Sequence, residues 1–410
     1  MKKNFFSTTV IFMLCACLTL GVAATGVLPV EASDTISSQK VTPLPEVDRP
    51  EIALLGSLDK AAFVGTYWDK EDTLHIIPIL GREGEIKETV SGNTQKLSNA
   101  NMPKIVVDDV KAQARDAMPV YSMAEREAAK AYLLENRDKF NIQAVGFTAD
   151  KLAVFMSDES EAAKQAVTDA SPVKAIEFFG EFSPAMDDSE IDMDSSEIEP
   201  MATATTMRGG NWVRRTSTSN WSTITISAVR NWNGTSGDIG FFTCGHGWTD
   251  GQSVYASDGA YVGVADVHLY DNMDVTFVHL SNTALNSHGY MNDGKRVTNR
   301  SDIYSYDNGK AVRKYGARNG NQNGTITATS ISGEWSDCWY DNLFLTSCYT
   351  RKGDSGGAFT INDNTIVGLM VGARSSSPIV GGTTADPIYG ESVALRIVDV
   401  VSMTGMYPAT

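Results

Sequence analysis

Hydrophobic residues follow three regimes along this chain. Lys2 and Lys3 precede a largely apolar run from about Phe5 to Val30, interrupted by Ser7-Thr8-Thr9, and Val30-Glu31-Ala32 offers a small-residue end. A cationic start, an apolar middle and small residues at the end predict a removable export leader over residues 1–32. Cys17 could be read as a lipid-attachment site, but Cys15 stands two places before it and apolar sequence continues beyond it, which favours plain secretion. After a flexible segment, 33–54, the pattern from 55 to 182 mixes periods. Phe63–Trp68, Leu74–Ile79 and Lys151–Phe155 are short apolar runs that read as strands. Ser122 through Lys139 is rich in Ala, Glu, Lys and Leu, with Ser122 and Glu125 at capping-box spacing, so a helix is expected there. The segment therefore reads as an α+β domain.

The second half changes character. Thr223-Ile224-Thr225-Ile226 alternates, Asp274–Leu280 is apolar-rich, and Thr365–Val371 is a buried run. Many short strands with Gly and Asn turns predict an all-β domain of closed barrels over 208–410. By composition, Val393–Val401 also reads as a strand. Between the halves, 183–207 contains the acidic run Met186–Glu197, which has too few apolar residues to fold and reads as an exposed linker open to proteolytic activation.

Charge follows the same division. The net charge is −16, but from Ala202 onward 15 Lys+Arg nearly balance 17 Asp+Glu, so −14 of it lies in the first 201 residues. No basic stripe exists to neutralise phosphates, so nucleic acid is not an expected partner. After leader removal no stretch is long and apolar enough to span a membrane. None of the five histidines has His-x-x-x-His or Cys-x-x-Cys spacing, so neither metal nor cofactor is expected.

Lys352-Gly353-Asp354-Ser355-Gly356-Gly357 is poorly suited to a helix or central strand. It suits a sharp turn that exposes one hydroxyl and aims several backbone N–H groups at a common point, the geometry a serine nucleophile needs. Such a hydroxyl requires a base. Of His75, His246, His268, His279 and His288, only His246 lies where an apolar run breaks into Gly-His-Gly. The third member must be a carboxylate that orients the imidazole. Asp274 opens a buried strand and is preferred, with Asp271 in the preceding polar turn as the rival.

With these residues in place, the chain from near Arg208 to its end resembles the trypsin-like serine proteases. Within them it is most similar to the small secreted bacterial branch of α-lytic protease and the streptogrisins. His246, Asp274 and Ser355 follow the chymotrypsin order with short gaps of 28 and 81 residues. Thr243-Cys244-Gly245-His246 stands where the family has Thr-Ala-Gly-His.

The resemblance implies two antiparallel β-barrels, a C-terminal helix in place of the strand over Val393–Val401, and a pro-domain acting as folding assistant or inhibitor. Gly353 and Ser355 would supply the oxyanion-hole N–H groups. Lys314 would stand where the family's arginine pairs with the aspartate before the nucleophile. Thr346, Ser347, Met370, Val371, Gly372 and Ala373 would form a specificity pocket with no aspartate at its base, which favours apolar residues before the cut bond. Cys338 and Cys348 near the nucleophile are a candidate disulfide, leaving Cys244 as a buried filler behind His246. The expected function is a secreted serine endopeptidase acting on proteins or peptides. The alternatives are an idle protease-like binding module or an esterase with the same triad.

Overall fold

The computed structural model describes residues 41–96, 102–109, 120–184, 207–215, 221–268, 273–281, 285–335, 338–374, 377–384 and 386–410. The expected leader and the acidic run Met186–Glu197 lie outside these residues.

The fold class matches the sequence expectation: an α+β segment followed by an all-β half with a helix near its C-terminus, after which only the short strand Tyr407–Pro408 follows. In the first segment, Phe63–Trp68 pairs antiparallel with Leu74–Pro78, which pairs parallel with Ile105–Val107. The helix Met123–Glu135 begins at the anticipated capping box, with Ser122 and Glu125 bonding each other's backbone N–H. It stops short of Lys139. Asn136 turns its side-chain amide back onto the Tyr132 carbonyl (2.9 Å), and only a short turn, Arg137–Phe140, follows before left-handed Asn141. Local side-chain hydrogen bonding of this kind competes with helix continuation.

The all-β half holds two closed sheets. In the first, Trp221–Thr223 pairs with Trp212–Arg214 while Ser227–Arg230, the continuation of the same segment, pairs with Asp238–Thr243. The remaining strands, Gln252–Ala256, Tyr261–His268 and Thr276–Leu280, complete the circuit. In the second, the order runs from Ala311–Tyr315 through Ala358–Ile361, Thr365–Arg374, Ser392–Arg396 and Cys338–Thr346 to Asn321–Trp335. Ala311–Tyr315 also pairs with Asn321–Trp335, which closes the barrel. Several of these strands are buried on both faces: along Thr365–Arg374, Val367 and Met370 join one buried cluster while Ile366, Leu369 and Val371 join another.

The C-terminal residues divide as neither reading alone expected. Ser392–Arg396 is a strand and Ile397–Thr404 a helix that ends at left-handed Gly405. Arg396 fixes the switch by pairing with Asp399 (2.7 Å), one turn into the helix, and with Asp302.

The two halves share structure. Ile142–Phe147 pairs antiparallel with Asn321–Trp335, so its sheet neighbours Leu152–Met156 and Ile176–Gly180 extend the second barrel's sheet. Phe182–Pro184 pairs antiparallel with the outer end of Thr365–Arg374. One buried cluster accordingly contains Phe155, Phe179 and Phe182 together with Phe277, Leu369 and Val371.

The expected disulfide is not present: Cys338 and Cys348 remain thiols. Cys338 begins the extended strand Cys338–Thr346 and Cys348 lies two residues past its end. At roughly 3.3 Å per residue the Cα atoms stand about 25 Å or more apart, whereas a disulfide needs under about 7 Å. Nearness in sequence to the nucleophile was a poor guide, because a strand maximises the distance between its ends.

Candidate active site

His246 follows the strand Asp238–Thr243, and Asp274 precedes its antiparallel neighbour Thr276–Leu280, with Thr243 opposite Thr276. That register brings the end of one strand beside the start of the other. Asp274 is almost fully buried, and its carboxylate is satisfied on both oxygens. Oδ1 accepts the N–H groups of Gly245 (2.7 Å) and His246 (2.6 Å), and Oδ2 lies 2.6 Å from His246 Nδ1. A buried carboxylate needs such partners. The same arrangement directs the proton of the imidazole to Nδ1, leaving Nε2 as the basic nitrogen. Burial disfavours the imidazolium, but the Asp274 carboxylate outweighs it and holds the pKa of His246 well above its ordinary 6.5. The rival Asp271 lies outside the described residues.

Ser355 sits on a turn of the second barrel that rests against this corner of the first. Gly356 has φ +89°, and a Cβ there would fall 2.1 Å from the Thr223 carbonyl oxygen and 3.0 Å from the Cys244 nitrogen. The turn therefore packs against backbone two residues from His246, an approach only glycine allows. Hydrogen bonds stitch the barrels here, three of them to carbonyls of the nucleophile turn. Thr223 N–H donates to the Ser355 carbonyl (2.8 Å), Thr223 Oγ1 to the Gly353 carbonyl (2.8 Å), and Thr225 Oγ1 to the Gly356 carbonyl. Ser355 Oγ is buried and makes no hydrogen bond among the described residues. The N–H groups of Gly353 and Ser355 likewise donate to no described acceptor. Buried polar groups are almost always paired, so three orphans on one turn are conspicuous. No hydrogen bond joins Ser355 to the imidazole in this structure; contacts of this type often tighten only when substrate binds.

Asp354 is fully buried beneath the turn. Oδ2 takes Lys314 Nζ at 2.8 Å, and Oδ1 takes the N–H groups of Arg318 and Asn319, each at 2.9 Å. Lys314, also fully buried, donates in addition to the Tyr349 carbonyl. This is the pairing anticipated for Lys314.

The six pocket candidates have different surroundings. Met370 exchanges backbone hydrogen bonds with Gly356 and Gly357, and its side chain fills the second barrel's core beside Phe344 and Phe359. Thr346 is fully buried against Ser392 Oγ (3.0 Å), and Ser347 Oγ accepts Thr325 N–H (2.9 Å). Val371 belongs to the cluster that contains Phe182, and Gly372 and Ala373 pair with Pro184 and Ser183.

Elsewhere, His75 is bonded to Asp108 (2.7 Å) and Asp69 (3.0 Å) in the first segment. His279 lies within a strand, and His288 has φ +49°. Among the described residues no cluster of His, Cys, Asp and Glu could hold a metal ion.

Sequence reading missed the stitching role of Thr223 and Thr225. Thr223 ends the strand Trp221–Thr223 and Thr225 lies in the break before Ser227–Arg230, so strand alternation alone did not show this role. Sequence reading also missed Asp386, which pairs with Arg318 (2.6 Å) and Arg351 beside the turn.

No family model and no curated protein matches the chain. Solved structures similar to part of it include a Nocardiopsis protease, 21% identical over 49% of this chain and 98% of that one, with a TM-score of 0.37. A Cellulomonas bogoriensis chymotrypsin is 21% identical over 50% and 98%, also with 0.37. A glutamic acid-specific serine protease that uses a histidine triad in substrate binding is 20% identical over 49% and 98%, with 0.39.

Two outcomes follow from the site's electrostatics. Lys314→Ala leaves the Asp354 carboxylate buried without its cation, which should cost roughly 3–5 kcal/mol in denaturant unfolding; a loss below about 1 kcal/mol contradicts the pairing. Only the neutral imidazole accepts a proton, and its raised pKa keeps the cation to higher pH. The acid limb of kcat/KM should therefore have its midpoint above 6.5. Asp274→Asn should lower that midpoint and cost about 10⁴ in kcat. An unmoved midpoint contradicts the assignment.

Proposed function

We propose that the chain is a secreted serine endopeptidase made as a proenzyme, with Ser355 as nucleophile, His246 as base and Asp274 as the residue that orients it. The observation that carries this reading is the seam between the barrels. It sets a carboxylate-bound imidazole beside a turn bearing one unpaired hydroxyl and two unpaired N–H groups.

In the proposed reaction Ser355 Oγ adds to the peptide carbonyl carbon as His246 Nε2 takes its proton. The carbonyl oxygen becomes an oxyanion between the N–H groups of Gly353 and Ser355, and each such donor contributes about 3–4 kcal/mol to the transition state. His246 then returns the proton to the departing amine nitrogen as the C–N bond breaks. Water, deprotonated by the same imidazole, releases the acyl group from Ser355. Gly353 has φ +87°, a conformation that favours glycine at this position.

A peptide substrate is favoured over a simple ester by what occupies the edge of Thr365–Arg374. Phe182–Pro184 adds there as an antiparallel strand, with Ser183 opposite Ala373 and Pro184 opposite Gly372. Strand addition recognises extended backbone whatever its side chains. The added strand heads from Arg374 toward Met370, whose carbonyl accepts Gly356 N–H. The edge that Pro184 occupies, opposite Gly372, is two residues from Met370, the backbone partner of the Ser355 turn. We therefore assign the first segment as inhibitor and folding partner of the catalytic half, and place the first self-cut just beyond Pro184, inside the activation region 183–207. An apolar residue before the cut bond remains the preferred substrate feature. Among the described residues no helix is long and apolar enough to cross a membrane.

The test is expression of the full chain with a fluorophosphonate probe and mass analysis of the product. Wild type should be cut beyond Pro184 and label on Ser355, whereas Ser355→Ala should stay uncut and unlabelled. A Ser355→Ala chain processed at the same bond contradicts self-cutting, and an unlabelled wild type contradicts the enzyme.

A further inference from the structure

From Gly353 to Gly357 every backbone carbonyl and N–H of the turn is hydrogen-bonded among the described residues, with two exceptions. In the peptide joining Lys352 to Gly353, the carbonyl accepts Arg318 Nη1 (3.3 Å) and the N–H has no described acceptor. In the peptide joining Asp354 to Ser355, the carbonyl accepts Gly357 N–H (2.9 Å) and the N–H is again unpaired. These are the two oxyanion donors of the proposed function. One peptide separates them, Gly353 to Asp354, and it is fixed at both ends. Its N–H donates to the Arg351 carbonyl (3.1 Å), and its carbonyl accepts the Thr223 hydroxyl (2.8 Å). Holding that middle peptide fixes ψ of Gly353 and φ of Asp354, two of the torsions that set the plane of one donor relative to the other.

We propose that Thr223 is a positioning residue of the oxyanion hole, whose hydroxyl sets the plane of the Gly353–Asp354 peptide and so the angle between the two donors. The proton's direction is settled by chemistry. Ala317 N–H donates to Thr223 Oγ1 (3.2 Å) and uses a lone pair, so the single hydroxyl proton goes to the Gly353 carbonyl. Thr223 is itself immobilised. It is fully buried, its N–H holds the Ser355 carbonyl (2.8 Å), and its carbonyl accepts Thr243 Oγ1 (2.8 Å), three residues before His246. The base's barrel thereby aims the donors of the nucleophile's barrel. The assignment rests on the peptidase reading but concerns a residue that touches neither substrate nor imidazole.

Thr223→Val keeps the shape and removes the hydroxyl; Thr223→Ser keeps the hydroxyl. Kinetics on a chromogenic peptide amide, with binding of a peptide boronate and of the matching product peptide, should separate aiming from simple stability. Thr223→Val should lose about tenfold to a hundredfold in kcat, a fraction of what deleting a whole donor costs. Its KM should stay within about twofold, boronate affinity should fall by a similar factor to kcat, and product affinity should not move. Thr223→Ser should recover to within about threefold of wild type. If the valine variant is not recovered folded, Thr223→Ala carries the same expectation. Wild-type activity with an unimpaired Thr223→Val overturns this assignment alone, as does a serine variant as impaired as valine. A wild type that neither turns over the amide nor binds the boronate overturns the assignment together with the function beneath it.

Discussion

A single buried carboxylate governs the geometry of the candidate site. Asp354 lies with no solvent exposure under the nucleophile turn, held by the Lys314 ammonium and by the N–H groups of Arg318 and Asn319. Taking a carboxylate and an ammonium out of water is costly, and the cost is offset only when geometry is good and the remaining valences are filled. Here they are. Because this ion pair ties the turn to Ala311–Tyr315, a core strand of the second barrel, the turn behaves as part of the barrel wall. Lysine offers one point of charge where arginine would offer a fork, and the backbone N–H groups supply the directional bonds that the ammonium cannot. The unpaired hydroxyl and N–H groups of the turn can persist only on a frame fixed in this way.

The second constraint is the continuity of the N-terminal segment with the catalytic half. Long-range pairing dominates both barrels, and chains of that topology fold slowly because distant strands must meet before any contact stabilises them. Ile142–Phe147 lies along Asn321–Trp335, whose hairpin partner Cys338–Thr346 leads toward the nucleophile turn. A segment that supplies a ready strand to that hairpin would present a template to half of the second barrel. The same segment sends Phe182–Pro184 along the strand beside the turn. Folding assistance and inhibition would then be two consequences of one sheet extension.

How much of this was legible in the sequence varied with the physics involved. Strand periods and the Ser122–Glu125 box are local: the helix starts at that box and Thr365–Arg374 is a strand, whereas the alternating Thr223–Ile226 is strand only at Thr223, the next strand starting at Ser227. The positions of His246, Asp274 and Ser355 came from turn chemistry and order, since Gly-rich breaks after apolar runs mark strand ends wherever they occur. Three failures were also physical. Cys338 and Cys348 were paired because of closeness along the chain, but the strand between them separates them. The Thr223 and Thr225 hydroxyls were read only as strand propensity, because nothing local shows that their acceptors lie about 130 residues away, at Gly353 and Gly356. The halt of the helix at Asn136 turns on one side-chain bond that no propensity reports.

The central claim is that an alcohol at position 355, and no other group, carries the acyl intermediate. Rapid mixing of the processed protein with a slowly deacylating ester, quenching in acid and locating the added mass by peptide mapping tests it most directly. The account predicts one acyl group, on the peptide containing Ser355, absent when His246 is replaced by alanine. Acyl mass on Cys244, or steady turnover with no acyl mass on Ser355, would contradict it.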